Sequence, residues 1–421
     1  MGVCSVLYLN NLKSWNFGCA KAGVVDALNC GSRSLPWCDF RKDALVNKIA
    51  VMVFQAASYL TDPLSKCHEF YRRIYVIEAC NPEANAISNL ARKIALGLGA
   101  VGWASLAIFT TLPGALLRYF GSYLQANPFI YAQGPANGKV LPDERSFSLL
   151  SWNICGVDGG YAISDGGVLP WSFRIDNIIN KIIEKNADVN CLYEVFDPNA
   201  AFYICEKLKE RGYSHFYFNI GPRAIGVSSG ILVASKYNIK NPEFSPFSQD
   251  ILVGRTKNAA KGVFAFDLES QGKNFARIYS THLQHSEEPQ FPTAEEVEAR
   301  KRQMQIIVDK VNAVRDRCIV VTGDLNLDDD EYNTSSWQNR FQKGNSFGAF
   351  GKTWGGDEFC ACMVGKRISE PLNLDHTMVV KGTARAISTS LVQTGYNPAH
   401  FKAGALSDHE GLMSRIYTQT T

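Results

Sequence analysis

Over the last two thirds of the sequence, apolar runs keep ending in residues that no core accepts alone. Leu149-Leu150-Ser151-Trp152 ends at Asn153, and Cys191-Leu192-Tyr193 leads to Glu194 within DVNCLYEVFD. Ile278-Tyr279-Ser280-Thr281 leads to His282. Ile319-Val320-Val321-Thr322-Gly323 leads to Asp324 and Asn326. Leu372-Asn373-Leu374 leads to Asp375, and Leu406-Ser407 to Asp408-His409. An unpaired buried carboxylate costs roughly several kcal/mol unless a cation or hydrogen bonds meet it. In a chain that repeats this pattern the strand ends could converge on one crevice.

Each ending alone has an ordinary reading. An Asn after a strand serves as a turn residue, GDLN can be a turn, and a single His is commonly structural. Carboxylates, amides and two histidines that all close strands are a different signal. Oxygen donors without the Cys-His spacing of a zinc site favour Mg²⁺. A water, a base histidine and a metal-bound phosphate make a hydrolytic phosphoryl site.

The strands themselves are FSLLSWNI, DVNCLYEV, SGILVAS, GVFAFDLE, FARIYSTHL, RCIVVTGDL and LNLDHTMVV. FRIDNIINKIIEK, NAAFYICEKLKERG and AEEVEARKRQMQIIVDKVNAV read as helices. In the last, Val297, Met304, Ile307, Val308 and Val311 recur at helical spacing. This interleaving predicts a mixed two-sheet sandwich with helices outside, over residues 147–421. Pro128, Gly134, Pro135, Gly138 and Pro142 mark 125–146 as a linker.

Residues 1–124 have another texture and are expected to be helical. Ile94 to Leu117 carries no charge and is bracketed by Arg92-Lys93 and Arg118. At about 24 residues it is long enough to cross a bilayer. Pro113-Gly114 offers a bend that would make it re-entrant or interfacial, and a buried helix is the alternative. Ile49 to Leu60 is half as long and suits an interfacial or core helix. The region is therefore expected to associate with a membrane, and the formal charge of +3 gives no reason to expect a nucleic-acid partner. Of the twelve cysteines, six precede residue 81, and Cys155, Cys191 and Cys318 sit in apolar runs. Cys360-Ala-Cys362 lacks the second pair of a zinc knuckle, so mostly free thiols are expected.

SWN, the strand Glu, STHLQ, GDLNLD, LDH and SDH, in this order, resemble the endonuclease/exonuclease/phosphatase superfamily over roughly residues 145 to 421. The resemblance implies a DNase-I-like four-layer α/β/β/α sandwich and a divalent metal, Mg²⁺ or else Mn²⁺ or another divalent ion. Within the superfamily, Glu194-Val195-Phe196-Asp197, Ser228 to Ser235 and Ala259-Ala260-Lys261-Gly262 are similar to the neutral sphingomyelinases. An Asp expected shortly before AAKG is missing from Gly254-Arg255-Thr256-Lys257-Asn258, and His376 stands where a Tyr is usual. The implied activity is Mg²⁺-dependent cleavage of sphingomyelin or another membrane phospholipid. A phosphoinositide or inositol-phosphate phosphatase is the alternative, and a nuclease comes third.

The same resemblance implies the roles. Glu194 binds the metal, with Asn153 near the metal or the phosphate. His409 is the base, oriented by Asp375, and Asp408 lies beside the metal or water. Asp324 and Asn326 position nucleophile and phosphate, His282 donates to a phosphate oxygen, and Lys261 contacts phosphate or headgroup. Lys261 has an equally ordinary reading as a solvated lysine. His285, Glu287 and Glu288 are expected in a solvated loop, and Tyr161, Trp171 and Phe173 in core packing or at lipid.

Overall fold

The computed structural model describes residues 44–80, 84–124, 128–134, 145–157, 171–221, 227–344, 352–356, 371–395 and 405–419. Cys4, Cys19, Cys30, Cys38, Tyr161, Cys360 and Cys362 lie outside them. Among the described residues Cys67, Cys155, Cys191, Cys205 and Cys318 are free thiols, as the strand-like surroundings of three of them lead one to expect.

Two sheets form the body. The first has seven strands in the order β1 (Ile130–Gln133), β4 (His215–Phe218), β5 (Leu232–Ser235), β3 (Val189–Tyr193), β2 (Ser146–Asn153), β13 (Gly411–Thr418), β12 (Ala384–Val392). The second has six, in the order β10 (Phe341–Lys343), β11 (Asp375–Val380), β9 (Cys318–Asp324), β8 (Lys273–His282), β7 (Gly262–Ser270), β6 (Asn238–Pro246). Each sheet has one parallel pair, β2 with β3 and β8 with β9, and is otherwise antiparallel. β1 lies inside the stretch read as a linker. Phe129 and Tyr131 anchor it, because both reach the core between the sheets.

Three apolar layers hold the sandwich. Between the sheets, Phe147, Val189, Tyr217, Phe264, Phe266 and Ile278 are buried, with Phe129, Tyr217 and Phe264 in mutual ring contact. Outside the first sheet pack α3 (Ile175–Lys185) and α4 (Pro198–Lys209). Outside the second packs α5 (Ala294–Asn312), through Met304, Ile307 and Val311. The result is the expected α/β/β/α order. Strands covered on both faces read as unbroken apolar runs, which is why β2, β3, β7 and β9 are legible in the sequence.

The N-terminal region is a pair of long helices, α1 (Ala44–Cys80) and α2 (Ala86–Leu124). α2 continues through Pro113 without turning back. At Gly114 a Cβ would lie 2.8 Å from Thr61 and 3.1 Å from the Ala57 carbonyl, so the helices meet through a small residue. Phe54 of α1 joins the core under α3 and α4. The opposite face of α2 shows Leu98, Ile108, Phe109 and Leu112 to the surroundings, each about 70% exposed.

Burial lowers the pKa of His215 from its ordinary 6.5 to about 4, helped by Lys240. Its Nδ1 lies 2.9 Å from the Tyr131 hydroxyl, tying β4 to β1. The unfolded chain binds this proton more readily than the folded one. The stability that neutral His215 contributes is therefore full above about pH 6.5 and is lost as the pH falls toward about 4. In denaturant titrations from pH 7 to 4, His215→Gln should lose on the order of 3 kcal/mol less than the parent.

Candidate active site

The parallel pairs place the site. β2 and β3 run the same way, so Asn153 and Glu194 leave the first sheet at one end. β8 and β9 do likewise in the second, bringing His282 into register with Asp324. β11 runs antiparallel to β9, so its first residue, Asp375, pairs with Asp324. β13 runs antiparallel to β2, which carries the preceding Asp408-His409 to the same end. Six strand ends separated in sequence thus meet where the two sheets face each other.

Asp324 is the hub. Asn153 Nδ2 donates to its Oδ2 at 2.9 Å, and the Asn326 backbone N–H donates to Oδ1 at 3.1 Å. His282 Nε2 lies 3.4 Å from Oδ2, and His409 Nε2 3.7 Å from it. His409 Nδ1 is 2.7 Å from Asp375 Oδ2. Burial opposes charge on His409, but Asp375, Asp324 and Asp408 outweigh it and hold its pKa well above the usual range. Burial and Lys261 keep His282 neutral.

Glu194 follows β3 in a left-handed conformation, φ 61°, which costs an L-residue about 1–2 kcal/mol. Cys155 (φ 46°) and Asn326 (φ 50°) turn the same way after β2 and β9. The turn aims the Glu194 carboxylate where no described residue hydrogen-bonds or ion-pairs with it. Burial and Asp408 push its pKa up to about 7. Lys261 is 4% exposed, not solvated, and burial lowers it to about 7 against the pull of Glu194 and Asp324.

Other groups hold the frame, and residue types alone carry little sign of them. Thr353 Oγ1 accepts from the backbone N–H groups of Leu374 and Asp375, at 2.9 and 3.1 Å. Ser407 Oγ donates to the Asn153 carbonyl at 2.6 Å and accepts from His409 N–H at 3.2 Å. Trp152 Nε1 donates to the His409 carbonyl at 2.8 Å. Arg174 is fully buried and donates to the carbonyls of Ile154, Cys155 and Leu406. Nothing in FRIDNIINKIIEK marks that arginine as an interior clamp between two site loops. His285 bonds Thr256 Oγ1 at 2.7 Å, while Glu287 and Glu288 are exposed as expected. Trp171 packs on the core beside α3.

The donor set suits a hard divalent cation. Asp324, Asp375 and His409 each offer a ligand atom within 4.8 Å of the others. Asp375 Oδ1 is buried without a partner, and the Glu194 carboxylate is open. The Asn153 amide already spends Nδ2 on Asp324 and accepts the Cys155 N–H at Oδ1, leaving one lone pair.

The turn at Glu194 leans on Gly230, whose carbonyl accepts the Val195 N–H at 2.9 Å. A Cβ at Gly230 (φ +74°) would lie 3.1 Å from Glu194 Cα and 2.7 Å from the Phe196 ring. Gly254 (φ +56°) has open space around it. Gly254→Ala should cost only the left-handed penalty, about 1–2 kcal/mol. Gly230→Ala should cost clearly more in the same denaturant titration.

No curated protein matches the chain. Among solved structures it is similar to SmcL, with a TM-score of 0.52 and 21% identity over 65% of this chain and 99% of that one. Sphingomyelinase C from Streptomyces griseocarneus gives 0.50 and 19%, over 64% and 99%. TDP2 from C. elegans gives 0.50 and 16%, over 83% and 94%. These identities speak for the fold alone. The model of the Endonuclease/Exonuclease/phosphatase family matches residues 150–409, a span running from β2 to His409. The chain, with its strand-end site, belongs to the endonuclease/exonuclease/phosphatase family.

Proposed function

We propose that the protein is a Mg²⁺-dependent phosphodiesterase of the phospholipase C type, hydrolysing sphingomyelin to ceramide and phosphocholine at a membrane. Members of the family are metal-dependent hydrolases. The observation that carries the lipid reading is α2. Residues Ala86–Ser122 are long and apolar enough to cross a membrane, with a mean hydropathy of 1.7 and 6% of the apolar window buried. A helix with its small face inward and its large apolar face outward suits a lipid surface. EVFD and AAKG favour the same branch. The similar sphingomyelinase C and a magnesium-bound beta toxin from Staphylococcus aureus fit it.

In this reading Glu194 holds the ion, with Asn153 and Asp408 beside it. A divalent cation bound there would neutralise carboxylate charge, offset the carboxylates that raise His409 and so favour its neutral form, and polarise a non-bridging phosphate oxygen. His409 Nε2 takes a proton from the attacking water, and Asp375 fixes the ring and stabilises the imidazolium. The water oxygen bonds phosphorus as the bond to the ceramide oxygen breaks, and the departing oxygen takes a proton from solvent water to leave as ceramide. His282 donates to a phosphate oxygen. Asn326 Nδ2, buried without an acceptor, and Lys261 are the further donors for that charge. Asp324 keeps these groups in register.

A phosphoinositide phosphatase would need several cations around this site. Among the described residues Lys261 supplies one, and Arg174 is turned to backbone carbonyls. Sphingomyelin vesicles with Mg²⁺ should release phosphocholine, and EDTA should stop it. His409→Ala should lower turnover by about 10³-fold or more with the fold intact by circular dichroism. DNA or inositol phosphates consumed in place of sphingomyelin would overturn the assignment.

The role of α2 has its own test. Phe109→Asp with Leu112→Asp should weaken sedimentation with phosphatidylcholine vesicles at least tenfold, while turnover of micellar substrate persists. Unchanged sedimentation removes α2 from the membrane.

A further inference from the structure

The sandwich has a second concavity, at the opposite end from the site. β9 runs from Cys318 at its rim to Asp324, a span of roughly 20 Å at the usual strand rise. β11 runs the other way, from Asp375 to Val380 and so to Lys381. The cavity measures about 560 Å³ and is lined by Arg315, Arg317, Arg340 and Lys381, with Asp316 as its one carboxylate and Ile319 in its wall. That size falls in the usual range for small-molecule sites.

Two of the cations are exposed and two are partly enclosed. The side chains of Arg315 and Lys381 face solvent and make no hydrogen bond or ion pair with a described residue, while the Lys381 backbone N–H donates to the Arg340 carbonyl at 2.9 Å. Arg317 Nη1 reaches Asp267 Oδ2 at 3.1 Å, but Asp267 also takes Arg277 at 3.1 Å, so two arginines share one carboxylate. Arg340 donates through Nη2 to Asn312 Oδ1, a neutral acceptor. The Nε atoms of Arg317 and Arg340 are both buried and neither has an acceptor. A buried donor without an acceptor is unfavourable, so neither guanidinium has its full set of partners within the protein.

We propose that this cavity binds a compact ligand carrying at least two phosphate groups, either free in solution or borne by a lipid headgroup. Guanidinium forks match phosphate oxygens in bidentate geometry, which favours phosphate over a single carboxylate. With Asp316 in the lining and Asp267 shared by Arg317 and Arg277, the four cations still leave the cavity net positive, which suits a ligand with more than one negative charge. The cavity is independent of the hydrolytic site, since none of its residues reaches Asp324 or Glu194.

The test uses the full chain in EDTA, titrated calorimetrically with inorganic pyrophosphate and with inositol hexakisphosphate. In parallel, sedimentation compares phosphatidylcholine vesicles with and without phosphatidylinositol bisphosphate. Arg315→Glu and Lys381→Glu are surface changes that leave the hydrolytic residues untouched, and Arg340→Gln removes one buried donor. Binding of a free polyphosphate that weakens at least tenfold in both charge reversals, while His409→Ala binds normally, supports a soluble ligand. Loss confined to the bisphosphate-dependent part of vesicle binding supports a headgroup. Absence of binding in both arms, or equal affinity in the parent and the charge reversals, overturns the proposal.

Discussion

The hydrogen bond from Asn153 to Asp324 ties the two halves of this molecule together at the end where the strand-end residues meet, beside the bond between His409 and Asp375. Asn153 belongs to the seven-stranded sheet and Asp324 to the six-stranded one, and the amide donates to the carboxylate at 2.9 Å. Both groups are buried, so neither has water as a substitute partner. The same carboxylate faces His282 and His409, the latter carried in by the chain leading to β13. Any change in how the sheets sit on each other is felt first at this contact. Ser407 and Trp152 brace it from one side and Thr353 from the other.

Around that contact the backbone is held in conformations it would not choose. Cys155, Glu194 and Asn326 all adopt positive φ directly after β2, β3 and β9. Three such turns cost several kcal/mol together, roughly, and persist because the sandwich over-determines them. Arg174 offsets part of this. Its guanidinium gathers carbonyls from the loop after β2 and from the loop before His409, so both are fixed by one interior cation.

Much of this was legible in the sequence because the central strands are covered on both faces. Continuous apolar runs ending in polar residues announce β2, β3, β8, β9 and β11 and the ends that matter. β1, β4, β6, β10, β12 and β13 are not legible in the sequence for different reasons, and β10 is only three residues long. β1 sits among Pro and Gly residues, β4 is only four residues long, and β6 and β12 alternate buried with exposed positions. β13 carries Ser414 and Arg415 within its apolar residues. The frame of the site was harder still. Arg174, Thr353 and Ser407 act through backbone carbonyls and N–H groups, and such partners leave no pattern in residue types. Lys261 was ambiguous as sequence, and only the packing of the strand before β7 shows that it is enclosed.

The aromatic layer between the sheets has a consequence for how this protein tolerates change. Phe129, Tyr217, Phe264 and Phe266 set the spacing of the two sheets. A hydrogen bond near 2.9 Å weakens within a few tenths of an ångström, whereas a core can repack over larger shifts and stay folded. The layer therefore works as a gauge block, and chemistry sets a finer tolerance on it than stability does. A change in ring size there disturbs the registry of the strand ends as well as the packing of the core.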